Sequence, residues 1–290
     1  MYGYFAERNY KGDYPYTDLA LERRRVNTDL PGVDFSTENL RYGSWERMKI
    51  ATKSAAESIG RQVGIYNTLN TDKMDMLYGM ALDEAKDQLA KELCSIFDDM
   101  DIFPGRILVA GLGNILLTPD AIGCEVAAKV KPTLQIAEAD REFFESLSCA
   151  EIAICTPGVC ATSGLDAAIV IKGICDMIKP DAVIAIDALA SRDPIRLGRT
   201  IQVCNTGISP GSGLGNTRLS ISIETVGVPV IAIGVPTVID SRLLCPDFCA
   251  SSDKNINEAM FVSPKEINEI ISVGAEIIAE AINQAFGVFN

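Results

Sequence analysis

The sequence of 290 residues contains no histidine. This absence excludes the Ser-His-Asp and Cys-His nucleophile systems, the two-histidine zinc helices and every mechanism in which a histidine carries the proton. A hydrolase with this composition has to use carboxylates, Lys, Cys or Ser instead.

Long apolar runs and excess positive charge are also missing. No run reaches the length of about 20 residues that a membrane-spanning helix needs, and the start, MYGYFAERNYKGDYPY, lacks the basic and apolar regions of a signal peptide. The formal net charge is −13. That charge argues against direct binding to nucleic acid or to an anionic membrane, although ordinary solubility explains it equally well.

Nine cysteines are present, an odd number, and most lie inside apolar runs. This usage indicates a reducing cytoplasm rather than a disulfide framework. Two pairs are close in sequence, Cys155 with Cys160 and Cys245 with Cys249. Neither pair has partners at zinc-site spacing, so we expect no metal and no cofactor.

Four apolar runs in the second part of the chain predict buried parallel strands: RILVAGLGN, EIAICTPG, DAVIAIDALAS and VPVIAIGVPT. Amphipathic segments such as SGLDAAIVIKGICDMIKP separate them and predict helices. The expected fold class is α/β, with a mostly parallel sheet sandwiched by helices (α/β/α, phosphorylase/hydrolase-like) and a small mixed N-terminal portion.

The first hundred residues give fewer signals. Residues 1–35 are interpreted as an extended arm, ERMKIAT as a short strand, SAAESIGRQ as a short helix and MALDEAKDQLAKELCSIFDDM as a long helix. At the other end, PKEINEIISVGAEIIAEAINQAF predicts a last helix, with Ser263 as its cap before Pro264.

Two aspartates follow predicted strands, at the edge where open α/β sheets form their active sites. Asp120 lies in LLTPDAIG and Asp187 follows the apolar run VIAI. Asp120 could instead serve a helix N-terminus, with Thr118 as the cap. Asp187, partly buried, needs a proton or a partner, and a salt bridge with Arg192 is one structural explanation. If the two aspartates converge, they form a carboxyl pair that can activate water and protonate a departing amide.

Two glycine-rich segments have competing interpretations. GLGNIL carries only two glycines of the dinucleotide fingerprint, so a nucleotide-binding module is a weak alternative. TGISPGSGLGN, which contains Gly211, Ser212 and Gly213, is either a flexible loop or a set of backbone N–H groups that border the site.

A third segment, TDLALE from Thr17 to Glu22, poses a question of its own. Thr17 could be the N-cap of a helix whose first turn carries Asp18, with Glu22 suiting the same positive end of the helix. The alternative is that the segment is a recognition sequence, which another site binds.

Several segments together resemble the germination proteases of spore-forming bacteria: TPDAIG, SGLDAAIVIKGI, KPDAVIAIDALASR, TGISPGSGLGN, ETVGVPVIAIGVPTVID and VSPKEI. The resemblance runs in order over roughly residues 105–240 and from about 262 to the end, and more weakly through the first hundred residues. It implies a fold like that of hydrogenase-maturation peptidases, a homotetramer in the spore core, and small acid-soluble spore proteins as substrates.

The resemblance also implies an aspartic-type endopeptidase made as a zymogen. Its catalytic aspartates fall on Asp120 and Asp187, and the propeptide is cut between Asp18 and Leu19. Residues 1–18 are then a propeptide arm and 19–290 a single peptidase domain, with a mixed part at 19–100 and the core sheet at 105–290.

The sequence departs from the family in two places. Tyr16 stands where Arg is expected, and the connection from Ser241 to Val262 is short. A metal-dependent peptidase like the hydrogenase-maturation enzymes remains the enzymatic alternative.

Overall fold

The computed structural model describes residues 17–23, 30–212, 218–244 and 260–288. Within those residues one sheet contains nine strands, β1 to β9 in chain order. Their bounds are Val33–Asn39, Gly43–Ile50, Gly64–Thr71, Arg106–Gly111, Glu151–Cys155, Ala182–Ser191, Thr200–Cys204, Val230–Asp240 and Phe261–Val262. Helices α1 to α9 span Lys53–Ile59, Met80–Asp99, Ile122–Lys129, Leu134–Ala139, Arg141–Leu147, Cys160–Ser163, Ala167–Ile178, Ile223–Val226 and Ile267–Ala285.

The strand order is β1-β2-β3-β7-β8-β6-β4-β5, and β9 pairs with the end of β8. The neighbours β8, β6, β4 and β5 are parallel, and these are the four parallel strands that the sequence predicts. The other pairings are antiparallel. The predicted α/β class is confirmed, and the sheet as a whole is mixed because β7 links the parallel half to the N-terminal strands.

Helices cover both faces of the sheet, as predicted, because alternate side chains of a strand point to opposite sides. In β6, Ile184 and Ile186 pack in the core cluster beneath α2 and α9. Val183 and Ala185 pack in a second cluster beneath α7. By this alternation Asp187 lies on the α7 face of the sheet.

The segment 17–23 lies on that same face. Ala20 and Leu21 pack in a third cluster with α1, Cys204 of β7 and Ala232 of β8. Ala232 is the register partner of Ala185 in β6, which puts the segment on the side where Asp187 points. Thr17 does not cap an α-helix within residues 17–23, where the helical structure is a 3₁₀ turn at Leu21–Arg23.

Two other boundaries differ from the sequence predictions. Asp187 does not end its strand, because β6 continues to Ser191 alongside β8. The last helix begins at Ile267 rather than after Ser263. Val262 is still paired with the sheet, and the ring of Pro264 disfavours a helical backbone at the residue before it.

The long central helices are not membrane spans. In the part of the chain that the structure describes, no helix combines the length and the apolar character needed to cross a bilayer.

Candidate active site

Glycines fix the position of Asp120. A 3₁₀ turn at Thr118–Asp120 connects the loop after β4 to α3. Gly113 has φ +97°, and a side chain there would collide with the main-chain oxygen of Asp120 at 1.9 Å. Gly111 and Gly123 let α3 approach the sheet, since a Cβ on Gly111 would stand 2.2 Å from the Gly123 oxygen. Packing therefore explains the glycines that resemble part of a dinucleotide fingerprint.

The Asp120 side chain turns back to the loop before it. Its Oδ2 accepts the Asn114 N–H at 2.9 Å. Thr118 is not the cap of α3, because α3 begins at Ile122 after a residue that makes no side-chain cap. The interpretation of Asp120 as a helix-terminal residue with a Thr118 cap is therefore wrong.

Asp187 is 5% exposed, and its Oδ1 accepts the neighbouring Ala188 N–H at 2.9 Å. Burial raises the pKa of Asp187 well above the ordinary range, and the charges of Asp120 and Asp18 raise it further. Both effects disfavour the ionised carboxylate. The structure thus brings the two predicted aspartates, and the aspartate of the TDLALE segment, within electrostatic reach of one another.

Burial also raises the pKa of Asp120, while the Asn114 N–H and the positive charge of Arg218 act in the opposite direction. Burial raises the pKa of the Cys124 thiol in α3, and the charges of both aspartates raise it further. Of the two carboxyl groups, Asp187 is the more deeply buried.

Arg192 does not pair with Asp187. Within the described residues, neither a hydrogen bond nor an ion pair joins the two side chains, and Arg192 is not among the groups that shift the pKa of Asp187. Arg192 contributes its backbone N–H to the Glu22 carboxylate at 2.7 Å. The explanation of Asp187 as half of a structural salt bridge is therefore wrong.

The N–H and the carboxylate of Asp18 make three hydrogen bonds. Its N–H donates to the Ala190 oxygen at 3.0 Å, and its Oδ2 accepts the Ala190 N–H at 2.8 Å. The Ser212 hydroxyl donates to Asp18 Oδ1 at 2.7 Å. Gly211 adopts φ +72° in the turn before Ser212. Gly213, predicted beside them, lies outside the described residues.

Gln202 of β7 flanks the peptide bond between Asp18 and Leu19. Its Oε1 accepts the Ala20 N–H at 2.8 Å, and its Nε2 donates to the Asp18 carbonyl oxygen at 3.4 Å. Leu19 and Ala20 are 1% and 0% exposed. The chain on both sides of this bond is therefore held in place by one side chain.

The Glu22 carboxylate ends the bound segment. It accepts the Arg192 N–H, the Asp193 N–H and the Ser191 hydroxyl. The Thr17 hydroxyl also donates to it, so the segment folds back on itself.

A cavity of about 700 Å³ opens beside Asp18. Gln202 and Gly234 of the sheet line it, together with Ser212 of the loop after β7 and Arg61 just after α1. The Arg61 guanidinium donates to the Thr17 carbonyl at 2.8 Å. The cavity thus continues the groove on the N-terminal side of the bound segment.

Metal ligands do not gather in this site or in any other part of the described chain, because no three His, Cys, Asp or Glu side chains are grouped at ligand spacing there. Cys245 and Cys249 lie outside the described residues. Cys155 and Cys160 are both free thiols.

Gln202, Arg61 and the Glu22 contacts were not predicted from the sequence. Gln202 carried one usable signal, since it is a polar residue between the apolar residues Ile201 and Val203 in the short run TIQVC. The backbone N–H groups that hold Glu22 have no sequence signature.

Comparisons with known proteins agree with the earlier resemblance. The sequence model described as germination protease matches residues 17–250. A germination protease from Caldanaerobacter subterraneus is 40% identical over 247 residues, which cover 83% of this chain and 74% of that protein. A germination protease from Clostridium perfringens is 33% identical over 93% of this chain and 94% of its own.

A similar solved structure is a nickel–iron hydrogenase maturation protease from Thermococcus kodakarensis. It is 20% identical, has a TM-score of 0.38, and the match covers 66% of this chain and 99% of that one.

Proposed function

The chain belongs to the germination protease family, and we propose that it is an aspartic-type endopeptidase made as a zymogen. In this proposal it cuts itself between Asp18 and Leu19 and then degrades small acid-soluble spore proteins during germination. The observation that carries the proposal is the occupied groove. Gln202 holds the chain on both sides of the Asp18–Leu19 peptide, and the Asp18 charge acts on the buried carboxyl group of Asp187, whose pKa is raised.

Asp187 is the general acid in this mechanism. Burial and two neighbouring negative charges keep its carboxyl group protonated at a pH where an ordinary aspartate is ionised. We assign the general base to Asp120, because it is less buried than Asp187, and because the Asn114 N–H and the Arg218 charge oppose the rise in its pKa that burial causes. The division of roles follows from the two environments rather than from the residue type.

The reaction balances without an additional reactant. A water oxygen attacks the Asp18 carbonyl carbon while Asp120 takes a proton from that water. The carbonyl electron pair moves onto oxygen, where the Gln202 Nε2 donor stabilises the developing charge. The carbon–nitrogen bond then breaks, and the Leu19 nitrogen leaves with the proton from Asp187.

Specificity on the acidic side of the cut arises from the Asp18 contacts. The Ser212 hydroxyl and the Ala190 N–H each hold one carboxylate oxygen. A substrate with a carboxylate at the same position receives the same two hydrogen bonds.

The test is intact-mass spectrometry of the purified chain, held at neutral and at mildly acidic pH. We expect a species that begins at Leu19, and no such species from the Asp187→Asn variant. The matched control is Asp176→Asn, because Asp176 is an exposed aspartate on α7 that pairs with Lys172. Self-cleavage by Asp187→Asn at the native rate would overturn the carboxyl-pair mechanism.

A full-length chain that stays whole is then offered a peptide carrying TDLALE. Cleavage of that peptide between Asp and Leu supports the endopeptidase with a different trigger for self-processing. An intact peptide at both pH values contradicts the proposed activity.

The proposal extends to assembly and location. The resemblance supports a homotetramer in the forespore and spore core, with no direct contact to nucleic acid or membrane. Light scattering during size-exclusion chromatography measures the assembly, and a monomer mass at micromolar concentration would contradict the tetramer.

A further inference from the structure

The turn after β6 forms a carboxylate-binding cradle, which we define as the Ser191 hydroxyl with the backbone N–H groups of Arg192 and Asp193. The two N–H groups donate to Glu22 at 2.7 and 3.1 Å. The hydroxyl donates to the Glu22 Oε1. Ser191 is 1% exposed, so its hydroxyl is a buried donor, which lies close to the Glu22 carboxylate and 2.9 Å from the Asp193 carbonyl oxygen.

The cradle is held in shape by bonds within the turn. The Asp193 N–H lies 3.1 Å from the Ser191 Oγ, and the Asp193 carboxylate accepts the Ile195 N–H at 2.9 Å. Successive N–H groups that converge on one point form an anion-binding concavity. Removing Glu22 would leave these donors without their acceptor, which is unfavourable for backbone groups shielded from water.

The same segment also contains the bond that the proposed function has cut. Glu22 follows the Asp18–Leu19 peptide by four residues, and the 3₁₀ turn at Leu21–Arg23 brings its carboxylate back to the Thr17 hydroxyl. The cradle therefore binds the side chain of the fourth residue after the cut. A shorter aspartate at that position would not reach all three donors.

We propose that this cradle is a substrate subsite that selects a glutamate side chain four residues after the scissile bond. The inference rests on the proposed endopeptidase function and assigns to it a specificity element made largely of backbone N–H groups. The ligand is a carboxylate on a peptide held across the ends of β6 and β7. The Thr17 contact links the residue two before the cut to this glutamate.

The first test measures the cradle without catalysis. Hydrogen exchange of the Arg192 and Asp193 amides is followed in the full chain and in Glu22→Gln and Glu22→Ala variants. We expect exchange of these two amides to accelerate about tenfold to a hundredfold, the factor for losing a charge-assisted hydrogen bond. Glu57→Gln is the control, because Glu57 is an exposed glutamate on α1. Unchanged exchange in the Glu22 variants would overturn the cradle.

The second test measures specificity after self-processing. Two peptides are compared that share the sequence TDLALE except that one carries Gln in place of the final Glu. We expect kcat/KM to be about 10- to 100-fold lower for the glutamine peptide, since a charged hydrogen-bond partner is lost. Ser191→Ala should reduce the ratio of kcat/KM between the glutamate and glutamine peptides, because it lowers the rate for the glutamate peptide alone. A merely structural role of Ser191 would not change this ratio.

The outcomes separate the two proposals. Equal cleavage of both peptides refutes the cradle as a subsite and leaves the endopeptidase standing. Cleavage of neither peptide contradicts the proposed function, and the exchange data then still decide whether the cradle binds the Glu22 carboxylate.

Discussion

Gln202 and Asp187 occupy one row of the sheet, because each is the register partner of Gly234 in the strand between them. Register partners point to the same face, and neighbouring strands are about 4.8 Å apart, so the two Cα atoms are separated by about 10 Å. The β8 position between them has no side chain. A carboxyl group and an amide donor therefore face the same stretch of bound peptide from two strands.

This row predicts that Gln202 is needed for peptide cleavage. Gln202→Ala should slow self-cleavage by about 100-fold or more, the effect of removing one donor to a developing oxyanion. Gln202→Glu should also be slow, because it keeps an acceptor for Ala20 but loses the donor to the Asp18 carbonyl. The measurement is the fraction of chain beginning at Leu19 against time. A normal rate in Gln202→Glu would show that the amide donor is dispensable. The control is Gln135→Ala, because Gln135 is an exposed residue of α4.

The buried Asp187 predicts a pH-dependent stability. Its folded-state pKa is raised, so the folded chain holds a proton that the unfolded chain releases, and stability declines as pH rises from the ordinary aspartate range toward that pKa. Asp187→Asn should unfold at a higher temperature than wild type at pH 7, since each unit of raised pKa corresponds to about 1.4 kcal/mol. The difference should shrink toward pH 4.

Calorimetric melts at both pH values test this expectation. Asp176→Asn should change the melting temperature in the opposite direction, because Lys172 lowers the pKa of Asp176. A melting temperature for Asp187→Asn below that of wild type at pH 7 would contradict the raised pKa.

The tight glycine contacts predict that small substitutions displace Asp120. Gly113→Ala puts a Cβ against the Asp120 oxygen at a residue with positive φ, so we expect loss of cleavage with the fold retained. Gly173→Ala is the matched control, because its Cβ in α7 meets no atom within 4 Å. It should leave activity unchanged and stabilise α7 by up to about 1 kcal/mol. Circular dichroism and cleavage rates measured together distinguish a displaced Asp120 from an unfolded chain.

The Ser212 hydroxyl predicts a preference for an acidic residue before the cut. Ser212→Ala removes one hydrogen bond to the Asp18 carboxylate, and we expect about a tenfold lower kcat/KM on peptides with Asp at that position. Peptides with Asn there should respond much less. Ser58→Ala, in an exposed position on α1, is the control. Equal losses for Asp and Asn peptides would mean that Ser212 acts on the loop rather than on the carboxylate.

The parallel half of the sheet was predictable because its strands are continuous apolar runs. Asp187 was found for the same reason, since a carboxylate within such a run needs an explanation. Strands β1, β3 and β7 were missed because polar residues interrupt the apolar residues of their sequences, VDFSTEN, GIYNTLNT and TIQVC. With β7 missing, Gln202 had no predicted place in the site.

Other features are set by tertiary contacts that local sequence does not encode. Thr17 and Asp18 look like a helix start, but the Ala190 backbone and Gln202 bind the chain in a non-helical form. Helix α9 begins later than the sequence predicts because Val262 pairs with β8. The cradle around Glu22 consists mainly of backbone groups, which every residue type possesses.

The burial of Leu19 and Ala20 has a kinetic consequence for self-processing. Cleavage of the Asp18–Leu19 bond separates residues 1–18 from the rest of the chain. The new amino terminus at Leu19 is still covalently attached to the enzyme, next to the groove. Such a tethered strand has an effective concentration in the millimolar range and outcompetes dilute substrate. Activation would then show a lag after the cut, set by the departure of residues 19–22 and independent of enzyme concentration.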